Sequence, residues 1–175
     1  MNSAAKGWMV RALAAVTLAL GLSGCRLPHA PRTLWVDPGF SVEERAVLDD
    51  ALAAWCEAVA WCPEVVEDRD EAEAAIGVVD DFEARYPDRV ARGSQAFNDG
   101  ETIRVAPYAA SWGLDALWHV FAHELGHFCV AGHVGVPEQD NLMATTVAVD
   151  ADGAWLLSTS IDAAAIEAWR AGCGE

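Results

Sequence analysis

The stretch His123-Glu124-Leu125-Gly126-His127-Phe128-Cys129-Val130-Ala131-Gly132-His133 decides how the rest of the chain folds. Its first two histidines lie four positions apart, which is about 40° around a helix, so both imidazoles leave the same face. This spacing allows two rings to hold a zinc ion while Glu124 reaches a bound water. The stretch therefore predicts a zinc site carried on a helix.

A catalytic zinc site needs a third protein ligand, and His133 is the best-placed candidate. On a continuous helix, at about 100° per residue, His133 would point away from His123 and His127. We therefore expect the helix to end first, at Gly132, because glycine tolerates the backbone angles that end helices.

A further histidine, His119, lies one turn before His123 on the helix that we expect over residues 114–130. Three consecutive turns would spread His119, His123 and His127 over about 12 Å. A single ion, at about 2 Å from each nitrogen, does not bridge that span. We therefore expect a structural role for His119.

The first 25 residues have the pattern of an export signal. Two basic residues, Lys6 and Arg11, precede an apolar run over residues 12–22, which is too short to span a bilayer permanently. The run ends at Leu22-Ser23-Gly24-Cys25, which resembles the lipobox of bacterial lipoproteins, whose cysteine becomes the lipidated first residue. An ordinary secretory signal with an incidental Cys25 is the alternative.

The lipobox resemblance implies three segments: a signal peptide over residues 1–25, a tether over 26–32 and a folded domain over 33–175. It also implies export and attachment to a bacterial membrane through a lipid on Cys25. Arg26 differs from the aspartate that retains lipoproteins at the inner membrane of enteric bacteria, which favours the outer membrane, with the domain on its periplasmic or its cell-surface side.

Charge and composition restrict the partners of the protein. The chain has 175 residues, of which 53% are hydrophobic, and a formal charge of −16. Loss of the signal peptide removes two basic and no acidic residues, which gives −18 for a domain large enough to bury a core. Such an acidic domain repels nucleic acid and anionic lipid head groups. We expect no nucleic-acid partner, and we expect a monomer.

Four cysteines follow the signal peptide: Cys56, Cys62, Cys129 and Cys173. An even number in an exported chain predicts two disulfides, for which three pairings exist. Cys129 lies about 200–240° around the helix from the two histidines, so we expect it to pair with Cys173. Cys56 and Cys62 fit a bridge only if a helix ends between them, because six helical residues rise about 9 Å. Free thiols in the core are the alternative.

Hydrophobic periodicity predicts an α+β domain. A helix should begin at Ser41, and a last helix should be capped by Ser160, favoured by Asp162 and ended by Gly172. Strands are expected over residues 33–37, 74–79, 94–97 and 101–105, the last two forming a hairpin, and loops over 67–73, 82–92 and up to 158.

The metal-binding stretch, together with the methionine of Asn141-Leu142-Met143, resembles the metzincin clan of zinc peptidases, and within it the matrixin-like members. That clan carries H-E-x-x-H-x-x-G-x-x-H and a methionine turn beneath its metal. The resemblance implies a zincin-like fold: a small twisted mixed sheet, an active-site helix, a Met-turn and a C-terminal helix. The site that it implies has three zinc ligands, a general base and a methionine under the metal: His123, His127, His133, Glu124 and Met143.

One position departs from the clan pattern, because the clan glycine is Val130 here. A β-branched residue resists the positive φ of a turn that returns the third ligand. If His133 does not bind the metal, Glu138 or Asp140 would supply an oxygen ligand. In a zinc peptidase of another clan that ligand would be Glu167.

The resemblance implies a zinc-dependent endopeptidase, in which Glu124 takes a proton from a metal-activated water and passes it to the leaving amine. The peptide would lie extended along the strand near residues 94–97. The competing hypothesis is a lipid-anchored binding or structural protein with a vestigial or stabilising zinc site, which a fourth protein ligand would favour. A structural calcium ion at Asp80 or Asp81 is possible but not indicated by two carboxylates alone, and we expect both in solvent.

Overall fold

The computed structural model describes residues 29–133, 142–144, 148–149 and 155–174, with the backbone alone at 148–149 and 155–156. The expected signal peptide with Cys25, the start of the tether, and the alternative ligands Glu138 and Asp140 lie outside the described residues. No helix of the described part of the chain is long and apolar enough to cross a membrane.

One mixed sheet forms the centre of the domain, and its strands are β1 (Thr33–Val36), β2 (Glu64–Val66), β3 (Ala74–Val78), β4 (Ala96–Asn98) and β5 (Thr102–Val105). Their order across the sheet is β2-β1-β3-β5-β4, and all neighbours are parallel except β4 and β5. The expected hairpin of β4 and β5 is confirmed, and β4 is an edge strand because it comes last in the strand order of the described sheet. β2 was not expected, because three residues are too few to show a periodic pattern.

The described residues form five α-helices: α1 (Val42–Val59), α2 (Phe82–Arg85), α3 (Pro87–Val90), α4 (Leu114–Gly126) and α5 (Ala163–Cys173). α1 begins where expected, because the Ser41 side chain accepts from the Glu44 N–H while the Glu44 carboxylate accepts from the Ser41 N–H. The two longest helices share one core with the sheet, in which the Trp55 indole N–H donates to the Ala122 carbonyl at 2.8 Å.

The segment 82–92, expected as a loop, contains the one-turn helices α2 and α3. Phe82 is buried, and Pro87 occupies the first turn of α3, where a missing N–H costs no hydrogen bond. Asp81 pairs with Arg85 at 2.6 Å. Helices of four residues are too short to show periodicity, which is why the sequence pattern did not reveal them.

The start of α5 differs from the expected one. Asp162, not Ser160, is the capping residue, because the Asp162 carboxylate accepts a hydrogen bond from the Ala165 N–H at 2.9 Å. Upstream of it, in the stretch expected as a loop, the short strands β6 (Ala148–Val149) and β7 (Trp155–Leu156) pair with each other.

The end of α5 also differs, because Gly172 lies inside the helix and does not end it. A side chain at Gly172 would overlap the backbone carbonyl of Cys129. The glycine is therefore needed for close approach, and the helix ends at Gly174, where φ is +78°.

Both disulfides are present. α1 ends at Ala60 in the left-handed conformation (φ 57°), and this reversal brings the Cα atoms of Cys56 and Cys62 to 4.7 Å. Cys129 is bonded to Cys173, with the two Cα atoms 5.2 Å apart. Disulfides are typical of proteins that fold in oxidising compartments, and two of them fit an exported protein.

Candidate metal centre

Helix α4 ends at Gly126, earlier than the expected end at Val130. The chain then tightens, as the His127 N–H donates to the Glu124 carbonyl three residues back at 3.2 Å. His127 keeps helical backbone angles (φ −67°, ψ −7°), so it still shares a face of the helix with His123.

The end of α4 lies directly on the methionine expected beneath the site. Met143 is fully buried, and a side chain at Gly126 would overlap its sulfur and crowd the ring of Trp55. Gly126 is thus required by packing, a role that no local pattern indicates.

We expect Gly126→Ala to lower the free energy of unfolding by about 1–3 kcal/mol, because an extra methyl group in a filled core forces its neighbours to move. Chemical denaturation would measure the change. Gly132→Ala is the matched control, since among the described residues no atom beyond the two chain neighbours lies within 4 Å of the position that its Cβ would take. Equal stability of the two variants would contradict tight packing on Met143.

The three histidines of the opening stretch converge in space. One ring nitrogen from each of His123, His127 and His133 lies within 4.8 Å of the other two. The Nε2 atoms of His123 and His127 are 3.1 Å apart, close to the separation of about 3.3 Å for two nitrogens bound to one tetrahedral zinc ion.

Backbone carbonyls fix the tautomers of two of these rings. His123 Nδ1 lies 2.6 Å from the Leu142 carbonyl, and His127 Nδ1 lies 2.9 Å from the Val130 carbonyl. Because a carbonyl oxygen only accepts, each Nδ1 carries the proton, and each Nε2 presents a lone pair to the space between the rings. Such outer hydrogen bonds are typical of histidines that bind metals.

Val130, the departure from the clan pattern, contributes through its backbone. It is buried, and its carbonyl holds His127. The expected helix break at Gly132 is wrong, because α4 already ends at Gly126, and neither Val130 nor Gly132 has a positive φ. Tight backbone turns continue to Val130, whose N–H donates to the Gly126 carbonyl at 2.9 Å, and His133 follows three residues later.

The turn that carries Met143 is fixed from two sides. The Leu142 N–H donates to Asp162 Oδ2 at 2.7 Å, while the Leu142 carbonyl accepts from His123. Asp162 Oδ1 meanwhile caps α5. Asp162 therefore links the last helix to the orientation of His123, whereas the sequence pattern indicated only a helix start.

Glu124 is buried and lies in the chain next to His123. Its Oε2 atom has no hydrogen-bond partner among the described residues. Burial raises the pKa of Glu124 to about 7, opposed by the backbone of Asn98 and the charge of Arg89. The Asn98 side-chain amide donates to the Glu124 carbonyl at 2.9 Å, which joins the helix to edge strand β4.

Two alternative ligands lie elsewhere. His119 is buried, and its Nδ1 accepts a hydrogen bond from the Ser158 N–H at 3.1 Å. Glu167 is exposed on α5 and does not belong to the group of three histidines.

The donor set suits a divalent metal ion. Burial, followed by the charge of His127, lowers the pKa of His123 to about 3, and burial also lowers the pKa of His127. Both rings are therefore neutral at pH 7, which is the form that binds metals. Three imidazole nitrogens form a known catalytic zinc set. The three histidines can therefore hold a metal ion.

No protein-family model and no curated protein matches this sequence. Among solved structures, one of myroilysin is similar over 86% of this chain and 97% of its own, with a TM-score of 0.55 and 10% identity. A second myroilysin structure is similar over 82% of this chain and 83% of its own, with a TM-score of 0.56 and 9% identity. At such identities the likeness establishes a shared fold, and function must be argued from the site.

Proposed function

We propose that this chain is a zinc-dependent endopeptidase. His123, His127 and His133 hold one zinc ion, and Glu124 is the general base. The observation that carries the proposal is the convergence of two Nε2 lone pairs whose Nδ1 protons are held by carbonyls. Three protein ligands leave a tetrahedral ion one open position.

A bound zinc ion lowers the pKa of water to about 7 and polarises a carbonyl group. The carboxylate of Glu124 accepts a proton from the attacking water and later delivers it to the leaving amine. Asn98 holds the backbone of Glu124 against β4, so the base has a fixed position relative to the edge strand.

Edge strand β4 would bind the substrate. Its outer side has no neighbouring strand within the described sheet, so an extended peptide can pair with it through backbone hydrogen bonds. A peptide in that position would lie along the strand to which Asn98 anchors the catalytic helix.

We assign the domain to the zincin-like folds, and within them to the metzincin clan. A mixed sheet, an active-site helix, a buried methionine beneath the helix end and a C-terminal helix support this assignment. Val130 departs from the clan motif, yet its carbonyl holds a ligand, so the departure is compatible with a working site.

We also propose that the protein is exported and lipidated at Cys25. The two disulfides support an oxidising compartment. Mass spectrometry of the mature protein should find Cys25 as a lipid-bearing first residue, and a different N-terminus would refute the lipobox assignment.

The proposed function is tested on residues 26–175 by metal analysis and by cleavage of a peptide library. We expect about one zinc ion per chain, loss of cleavage after chelation and its return with added zinc. If zinc binds and raises the thermal midpoint but no peptide is cleaved, the rival function of a stabilising zinc site is correct. If no metal binds, both are wrong.

A further inference from the structure

A positive charge lies beside the edge strand of the sheet. The Phe97 ring on β4 packs against the rings of Tyr86 and Phe82, with centroids 4.8 Å and 6.0 Å away. The guanidinium carbon of Arg89, on α3, lies 4.8 Å from the centroid of the same Phe97 ring. Stacking of this kind positions the guanidinium, and its N–H groups remain able to bind a carboxylate.

Phe97 places Arg89 beside edge strand β4, next to the residue that anchors the proposed catalytic helix. Asn98 follows Phe97 on β4, and its side chain donates to the Glu124 carbonyl.

Arg89 has no carboxylate partner within the described part of the chain. Three other arginines pair with aspartates. Among these, Arg104 also lies over Phe97, at 5.9 Å, but Asp99 neutralises it at 2.8 Å. Arg89 is exposed in a chain of 27 acidic and 11 basic residues, and its charge is available to an anion from outside.

We propose that Arg89 binds the side-chain carboxylate of an aspartate or glutamate in the substrate and so sets an acidic preference at one position of the cleaved peptide. This inference rests on the proposed peptidase function and on a peptide that pairs with β4.

Side chains alternate between the two faces of a strand, so the preference for an acidic residue should apply to one position of the substrate. Phe97 and Asn98 are adjacent in β4, so their side chains lie on opposite faces of the sheet, and Asn98 faces α4. Arg89 lies on the Phe97 face. A substrate residue that projects to this face approaches Arg89, whereas its immediate neighbours project to the other face.

The expected preference is local and moderate. The acidic surface repels an acidic peptide at long range, but salt screens this repulsion beyond about 8 Å at physiological ionic strength. An exposed ion pair typically changes an equilibrium about two- to fivefold. We therefore expect up to about a fivefold preference, which should weaken as salt is raised.

The test uses pairs of peptides that differ only by aspartate or asparagine at one position near the scissile bond. In the zinc-loaded protein, kcat/KM should favour aspartate about two- to fivefold at one position and at neither of its immediate neighbours. Arg89→Gln should bring this ratio close to one. Arg89→Glu should instead favour lysine at the same position.

Arg92→Gln is the matched control. Arg92 is an exposed arginine of the same segment, and its Nε donates to the Asp88 carbonyl at 2.9 Å. The control should keep the wild-type ratio. An unchanged ratio in Arg89→Glu, or an equal loss in Arg92→Gln, would overturn the proposal.

A measurement of peptide binding distinguishes failure of this proposal from failure of the proposed peptidase function. Fluorescence anisotropy would measure the same peptide pair on zinc-loaded Glu124→Gln, with and without Arg89→Gln. If the wild-type protein cleaves no peptide, the peptidase function fails. An aspartate preference in binding that is lost with Arg89 would still support recognition, and its absence would refute it.

Discussion

Glu124→Gln should keep the zinc ion and lose peptide hydrolysis by about 10²–10⁴-fold, the usual contribution of a general base. The amide keeps the shape of the side chain but cannot accept the proton of an attacking water. The carboxylate is buried and makes no hydrogen bond through Oε2 within the described residues, so its replacement disturbs few contacts. Steady-state kinetics together with metal analysis would measure both effects.

Glu83→Gln is the matched control for Glu124→Gln, because it removes the same charge from an exposed position on α2. We expect wild-type turnover in this control. Retained turnover in Glu124→Gln, with zinc still bound, would exclude Glu124 as the base. Loss of zinc together with activity would make Glu124 a structural support of the site.

His133→Ala should lower zinc affinity by more than about 100-fold, beyond the loss that follows removal of a group that only orients a ligand. His133 is exposed, so its truncation should leave the stability of the metal-free protein almost unchanged. Competition with a fluorescent chelator would measure affinity, and thermal unfolding with and without zinc would measure stability.

The matched control for His133→Ala is His119→Asn. An asparagine oxygen can occupy the place of Nδ1 and accept the Ser158 N–H, so folding should be preserved. We expect wild-type zinc affinity in this control. Tight zinc binding in His133→Ala would place the third ligand elsewhere, with Glu138, Asp140 and Glu167 as the next positions to mutate.

The parts of the site that could be predicted from the sequence are those fixed by local geometry. The shared face of His123 and His127 follows from helical spacing, because four residues return almost to the same direction. The hairpin of β4 and β5 follows in the same way from the turn sequence at residues 98–100. Each depends on contacts among near neighbours in the chain.

The contacts that set the end of α4 are long-range, and local patterns do not contain them. In the sequence Gly126 is an ordinary helical glycine. Its packing against Met143, seventeen residues later, is visible only in the structure. The prediction of a break at Gly132 failed because helix propensity says nothing about what the helix end must contact. The β-branched side chain of Val130 predicted an obstacle to the turn that leads to His133. The group of Val130 that matters for the site is its carbonyl, which holds His127.

Asp162 also combines a role that local sequence predicts with a long-range contact that it does not predict. Its capping role is local and was partly foreseen, but its second oxygen binds the Leu142 N–H, twenty residues away in the chain. Gly172 was assigned to a helix end, although close approach to Cys129 is what requires it.

The disulfide between Cys129 and Cys173 has a consequence for how the protein withstands proteolysis. The bond closes a covalent ring of the chain that contains His133, Met143 and Asp162. A single proteolytic cut anywhere between the two cysteines would open the ring without releasing a fragment. The nicked molecule would keep its third histidine and its last helix attached to the rest of the domain.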